Sequence, residues 1–147
     1  MLKKYRFWLW TAVVLLFLTA LIHTSTLFVE PAAKNETERQ LLALLVGYKQ
    51  DFGAGFQRSM KEIFIALSAC FSLVCLLGGL TLGFLARTKS DVRILKGVVG
   101  IHVLVFAICF GVMAVFTFLP PIVLTGLIFL SLLVTYLLIP RQQATGP

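Results

Sequence analysis

Two histidines, His23 and His102, lie inside long apolar runs of this 147-residue chain. An ionisable side chain in a run of membrane length is a functional candidate by default, because hydrocarbon makes it costly unless something pairs with it or uses it. The chemistry open to it is proton transfer, metal or haem ligation, or a hydrogen bond to a bound oxygen. Shared ligation of one haem iron is excluded by depth. His23 stands six residues before Val29, roughly 9 Å from that end of its run at the usual helical rise. His102 stands five residues beyond Gly97, near the opposite side. In a core of about 30 Å the two differ in depth by roughly 10 Å or more. No H-x₃-H, HExxH or intrahelical carboxylate cluster offers a metal site, and no cofactor is expected. His102, level with Thr81 and Thr135, reads as a packing or interhelical hydrogen-bonding residue.

The remaining polar side chains gather near one end of the apolar runs. His23 is followed by Thr24, Ser25 and Thr26, and the start of the second run brings Arg58, Ser59, Glu62 and Ser68. Thr117 and Thr125 flank Pro120–Pro121 at similar height. On a helix Arg58 and Glu62 would be i, i+4 neighbours. The candidate ligand site is therefore His23, Thr24, Arg58, Ser59, Glu62 and Ser68. Arg58 and His23 would be presented to an anionic headgroup or a quinone-like oxygen. The plainer alternative is an Arg58–Glu62 pair fixing the helix mouth, with His23 bonded to a neighbouring hydroxyl. No catalytic residue is assigned: GxSxG, Walker and GxGxxG patterns are absent.

The elements that must position these residues follow from composition. The chain is 59% hydrophobic and 13% charged, with mean hydropathy +0.98, too apolar for a soluble domain of its size. Four uncharged runs, Phe7–Val29, Ile63–Ala86, Gly97–Leu119 and Ile122–Ile139, account for it. Each is about as long as the 17–25 residues a helix needs to span hydrocarbon, and none alternates as a barrel strand would. The predicted fold is all-α: a polytopic membrane protein with four transmembrane helices in one bundle, forming a single domain over residues 1–147.

The net charge of +7 is placed by topology. Lys3, Lys4 and Arg6, then Arg87, Lys89, Arg93 and Lys96 with Asp91, then Arg141, carry the whole excess. The Glu30–Glu62 segment balances five basic against five acidic residues. The positive-inside rule then puts both termini and the 87–96 loop in the cytoplasm, with the 30–62 loop outside an inner (cell) membrane. The partners this implies are membrane lipids, not nucleic acid. "LKKYR" before an apolar run resembles a secretory signal, but the run is long and no A-x-A-like site follows, so a retained helix is expected. Cys70, Cys75 and Cys109 lie in the membrane runs without a CxxC pair, and read as packing residues.

Within the outer loop, "NETERQLLALLVGYKQ" holds two overlapping capping patterns, Asn35 with Glu38 and Thr37 with Gln40. Leu41, Leu44, Leu45 and Tyr48 follow at helical spacing, predicting a short amphipathic helix on the membrane face. "DFGAGF" reads as a glycine hinge leading back to the second membrane helix. On that helix Ser68, Ser72, Cys75, Gly79 and Gly83 form a stripe of small residues. Its GxxxG, Gly79 to Gly83, is a packing face or a homodimer contact.

The run of features from "HT" in the first helix through "ETERQLLALL" and "DFGAGFQRSMKEIF" to "FTFLPPIVLTGLIFL" resembles a group of uncharacterised small bacterial four-helix inner-membrane proteins. The matching positions are His23, Thr24, Glu36, Arg58, Ser59, Phe64 and Pro120, across roughly the whole chain. The resemblance implies the fold and no activity. Those proteins carry aromatic and acidic residues where this chain has Met60 and Lys61.

The functional reading is a non-enzymatic integral membrane protein: a binding protein or accessory subunit of a larger membrane complex, holding a lipid-like or quinone-like molecule near the outer leaflet. One alternative is an intramembrane enzyme on a lipid or isoprenoid substrate, with His23 as acid–base and Arg58 as anion clamp. The other is a small transporter, although no Asp or Glu lies inside a membrane run to couple protons.

Overall fold

The computed structural model describes residues 2–30, 32–88 and 90–140, with side chains from Lys4 onward. Lys89, Arg141 and the side chain of Lys3, which enter the charge asymmetry, lie outside the described residues. Among the described residues the chain is all-α apart from one small hairpin. Its elements are α1 (Leu2–Thr26), α2 (Glu36–Gly47), β1 (Lys49–Asp51), β2 (Gln57–Ser59), α3 (Met60–Arg87), α4 (Val92–Phe116) and α5 (Leu119–Leu138). Four of the helices, α1, α3, α4 and α5, are long and apolar enough to cross a membrane. The protein is a membrane protein.

Helix ends are set by local chemistry. The membrane run was expected to continue to Val29, but α1 stops at Thr26. There Ser25 Oγ donates to the Ile22 carbonyl and Thr26 Oγ1 to that of His23, both at 2.7 Å. Leu27, Phe28 and Val29 tighten into i→i−3 bonds with Thr24, Ser25 and Thr26. Consecutive hydroxyl residues offer the backbone these alternatives to the helical ladder. Asp91 caps α4, its Oδ1 accepting from Arg93 N–H at 2.6 Å. Pro120 and Pro121 sit in the first turn of α5, where a missing N–H costs nothing. The connection from α4 is therefore only Thr117–Phe118.

The chain forms two compact units. The first comprises Met1–Thr19 and Cys75–Pro147 and holds most of the buried apolar side chains, among them Leu9, Leu16, Leu82, Phe106, Ile128 and Leu132. Lipid tails are as apolar as leucine, so close van der Waals packing drives association here. Glycine creates that closeness. A methyl group at Gly79 would meet the Phe17 ring at 3.3 Å, and one at Gly83 would meet Val13 at 3.6 Å. The Gly79–Gly83 face is thus covered by α1 of the same chain.

The α4–α5 pair is reciprocal: Gly100 of α4 faces Tyr136 of α5, and Gly126 of α5 faces Phe110 of α4, each at 3.1 Å from an added Cβ. His102 bonds within its own helix, Nδ1 to the Val98 carbonyl at 2.9 Å, with its ring over Gly78.

Two cations close helix ends in this unit. Arg6 Nη2 donates to the Ala86 carbonyl of α3 at 2.8 Å. Lys96 Nζ donates to the Ile139 carbonyl just past α5 at 2.9 Å, and stands 5.3 Å from the Tyr136 ring centre. Positive groups at helix C-termini satisfy orphan carbonyls and oppose the negative end of the dipole.

The second unit, Ala20–Val74, is built differently. Among its described residues the buried ones are small: Ala20, Ser59 and Ser72. It contains α2, the hairpin, the last turns of α1 and the first half of α3.

Candidate functional site

The second unit holds every residue of the candidate ligand site, and their geometry starts at α3. Ser59, Met60, Lys61 and Glu62 form an S-x-x-E capping box. Ser59 N–H donates to Glu62 Oε2 at 2.7 Å, and Glu62 N–H donates to Ser59 Oγ at 3.3 Å. Ser59 is 4% exposed. These two residues are therefore occupied in starting the helix.

Arg58 is not on that helix. It lies on β2, paired across the hairpin with Gln50, so the i, i+4 relation to Glu62 does not arise. Its Nη1 donates to the Gln57 carbonyl at 3.0 Å and its guanidinium sits 6.0 Å from the Phe56 ring centre. The ion pairs among the described residues are Arg39–Glu36 and Lys61–Glu30.

The expected hinge is a hairpin loop. Lys49–Asp51 pairs antiparallel with Gln57–Ser59, and Phe52 N–H donates to the Phe56 carbonyl at 2.9 Å. Gly53, Ala54 and Gly55 make the turn with φ of 83°, 52° and 82°. Glycine takes that left-handed region without a steric penalty, whereas Ala54 pays one. Asp51 Oδ1 accepts from Gly53 N–H at 2.8 Å and fixes the turn's start.

His23 is half-buried, and the Phe71 ring meets it edge-on at 5.0 Å between centres. Its backbone carbonyl takes the Thr26 hydroxyl, while its neighbour Thr24 is exposed. The expected layer of hydroxyls is turned inward on its own helices instead. Ser25, Thr26, Thr117 and Thr125 all donate to carbonyls three or four residues back. So does Ser72, to the Ser68 carbonyl at 3.1 Å.

What the second unit does enclose is a groove of about 380 Å³, between the end of α1, α2 and the start of α3. Its walls are apolar: Leu27 and Val29 after α1, Leu42, Leu45 and Val46 of α2, and Phe64 and Ile65 of α3. Its polar lining is Thr26, Glu30, Lys61 and Ser68. Lys61 Nζ and Glu30 Oε1 are 3.3 Å apart. Of the residues expected to bind a ligand, only Ser68 lines this groove. Comparison with family models, curated proteins and solved structures gives no match for the chain.

The helix that closes the groove is held by its own cap. Asn35 Oδ1 accepts from Glu38 N–H at 2.8 Å, while Glu38 Oε2 reaches back to Lys34 N–H at 2.7 Å. The Thr37–Gln40 pattern is not used; Gln40 bonds Glu36 instead. The expected stripe on α2 is divided. Leu45 joins Leu42 and Val46 on the groove, whereas Leu41, Leu44 and Tyr48 are not part of its lining.

Leu42, Val46, Lys61 and Ile65 line the groove but are not among the site residues expected from the sequence. The signal was present in Lys61, Phe64, Ile65 and Ser68, which stand at i, i+3, i+4 and i+7 and so share one helix face.

Proposed function

We propose that this chain is a non-enzymatic integral protein of the cell inner membrane, with cytoplasmic termini, that holds one lipid-like molecule in the groove of its second unit. It acts as a binding protein or accessory subunit within the membrane. Membership of the small four-helix inner-membrane group that it resembles is part of the same reading. The observation that carries it is the groove's composition: apolar walls from three chain segments, with a few polar groups converging on one space. A volume of about 380 Å³ lies within the usual range of small-ligand sites. An amphiphile would supply the apolar contacts that this unit, with only small residues buried among those described, does not make for itself.

The acid–base and anion-clamp residues of the enzymatic alternative, His23 and Arg58, do not line the groove. His23 packs on Phe71 and is not part of the lining. Ser59 and Glu62 are engaged with each other.

Native mass spectrometry of the protein extracted in mild detergent tests the reading. The expected result is a retained adduct of lipid mass. Leu45→Trp and Ser68→Trp, which fill the groove from two sides, should each reduce it severalfold. A bare wild-type protein, or variants that keep the adduct unchanged, would count decisively against it.

A further inference from the structure

We infer that the occupant of the groove is a zwitterionic phospholipid with a phosphate and a primary ammonium in its headgroup. The inference rests on the proposed lipid-holding role. Its basis is charge complementarity. Among the described lining residues there is one cation, Lys61, and one anion, Glu30, which contact each other at 3.3 Å.

Neither group is locked away: the Lys61 side chain is 40% exposed and that of Glu30 86% exposed. An exposed pair of this kind is held weakly and exchanges partners readily. A headgroup carrying both signs can take its place without leaving either charge unpaired. The phosphate accepts from the Lys61 ammonium, while the headgroup ammonium donates to the Glu30 carboxylate. The upper part of one acyl chain then lies along Leu42, Leu45, Phe64 and Ile65, and the rest of the lipid stays in the bilayer.

Other headgroups fit less well. An anionic lipid without an ammonium pairs with Lys61 but brings its phosphate beside the Glu30 carboxylate, a like-charge contact that costs affinity. A quaternary ammonium has no N–H to give Glu30. Such groups are held by cages of several aromatic rings, and Phe64 is the one aromatic side chain in the described lining.

The test is competition among phosphatidylethanolamine, phosphatidylglycerol and phosphatidylcholine of identical chains, added in equal amounts to delipidated full-length protein and read by native mass spectrometry. The expected result is a preference for phosphatidylethanolamine of roughly two- to fivefold over either rival, the scale of one exposed ion pair. Glu30→Gln should shift the preference to phosphatidylglycerol, because Lys61 remains alone. Glu30→Gln with Lys61→Gln should abolish the preference. Equal or greater retention of phosphatidylglycerol or phosphatidylcholine by the wild type overturns the inference. So does a preference unchanged in the double variant. If Leu45→Trp leaves total retention intact, the groove itself is not the site and the wider proposal falls. If it lowers retention of all three lipids alike while the wild type shows no preference, only the headgroup assignment falls.

Discussion

Ser59 and Glu62 hold each other's backbone amides, at 2.7 Å and 3.3 Å, and in doing so fix where the hairpin ends and α3 begins. The same two contacts orient the first turn of α3, from which Lys61 and Phe64 line the groove. Losing an N-cap hydroxyl costs about 1 kcal/mol. Ser59→Ala and Glu62→Ala are each expected to loosen this turn by that order, and the double variant by less than the sum. Hydrogen exchange at the Ile63–Ala66 amides in detergent reads the effect. Unchanged protection there in both single variants would mean the box contributes nothing.

The hairpin turn makes a prediction of opposite signs at adjacent residues. Gly53→Ala and Gly55→Ala place a Cβ in left-handed backbone, where an L side chain costs about 1–2 kcal/mol, although space around both is open. Ala54 already carries that penalty, so Ala54→Gly should leave the hairpin intact or stabilise it slightly. Exchange rates of the Phe52 and Phe56 amides, both bonded across the turn, separate the three variants. Equal protection in Gly53→Ala and Ala54→Gly would contradict the backbone assignment.

These two features also show what the sequence discloses and what it withholds. Four membrane helices are legible because hydrocarbon leaves the backbone no other way to satisfy itself. The cap at Asn35 is legible because its partners are three residues apart. "SMKE" is equally local, but the charges point to Arg58–Glu62, a relation that requires Arg58 to be helical. It is not, because Phe52 and Phe56 bracket a turn that turns the following residues into a strand. The groove was hidden for another reason. Leu42 and Lys61 are far apart in the chain, and nothing local says that α2 faces α3 through Leu42 rather than through Leu41 and Leu44. Gly100 and Gly126 are illegible for the same reason, since each has its aromatic partner on the other helix.

Thr19 stands out among the hydroxyls of the membrane helices. Thr11, Ser72, Thr125 and Thr135 each donate to a carbonyl four residues back. Thr19 is 4% exposed and its Oγ1 has no partner among the described residues. A buried unsatisfied hydroxyl costs about 1–3 kcal/mol, and valine has the same shape without it. Thr19→Val is expected to raise thermal stability in detergent, by about 1 kcal/mol. A lowered melting temperature would show that the hydroxyl has a partner in the membrane.

The helix that closes the groove should respond to acid. Hydrogen bonds from Arg39 first, and then Gln40, hold the Glu36 carboxyl below the ordinary glutamate range. A group whose pKa is depressed on folding stabilises the folded form above its unfolded value and loses that contribution as pH falls through the folded one. Protection of the Gln40–Gly47 amides should therefore be constant from neutral pH to about 5 and decline below about 4. Glu36→Gln should flatten that decline; an identical acid profile in the variant would assign it to another carboxylate.

The α4–α5 contact offers the most stringent test of packing. Gly126 leaves 3.1 Å between an added Cβ and the Phe110 ring, and Phe110 itself stacks on Phe129 with centres 6.3 Å apart. The ring cannot retreat freely, so Gly126→Ala must displace one helix or tilt the aromatic pair. Overpacking of this kind costs about 1–3 kcal/mol. Phe110→Leu alone opens a cavity and should also destabilise, but combined with Gly126→Ala it supplies room for the methyl group. The double variant is expected to be more stable than the sum of the single losses, a coupling of about 0.5–3 kcal/mol. Additive losses in detergent unfolding would mean that the two residues do not meet. The same cycle at Gly100 and Tyr136 should show coupling of the same sign, because each helix presents its glycine to the other's ring.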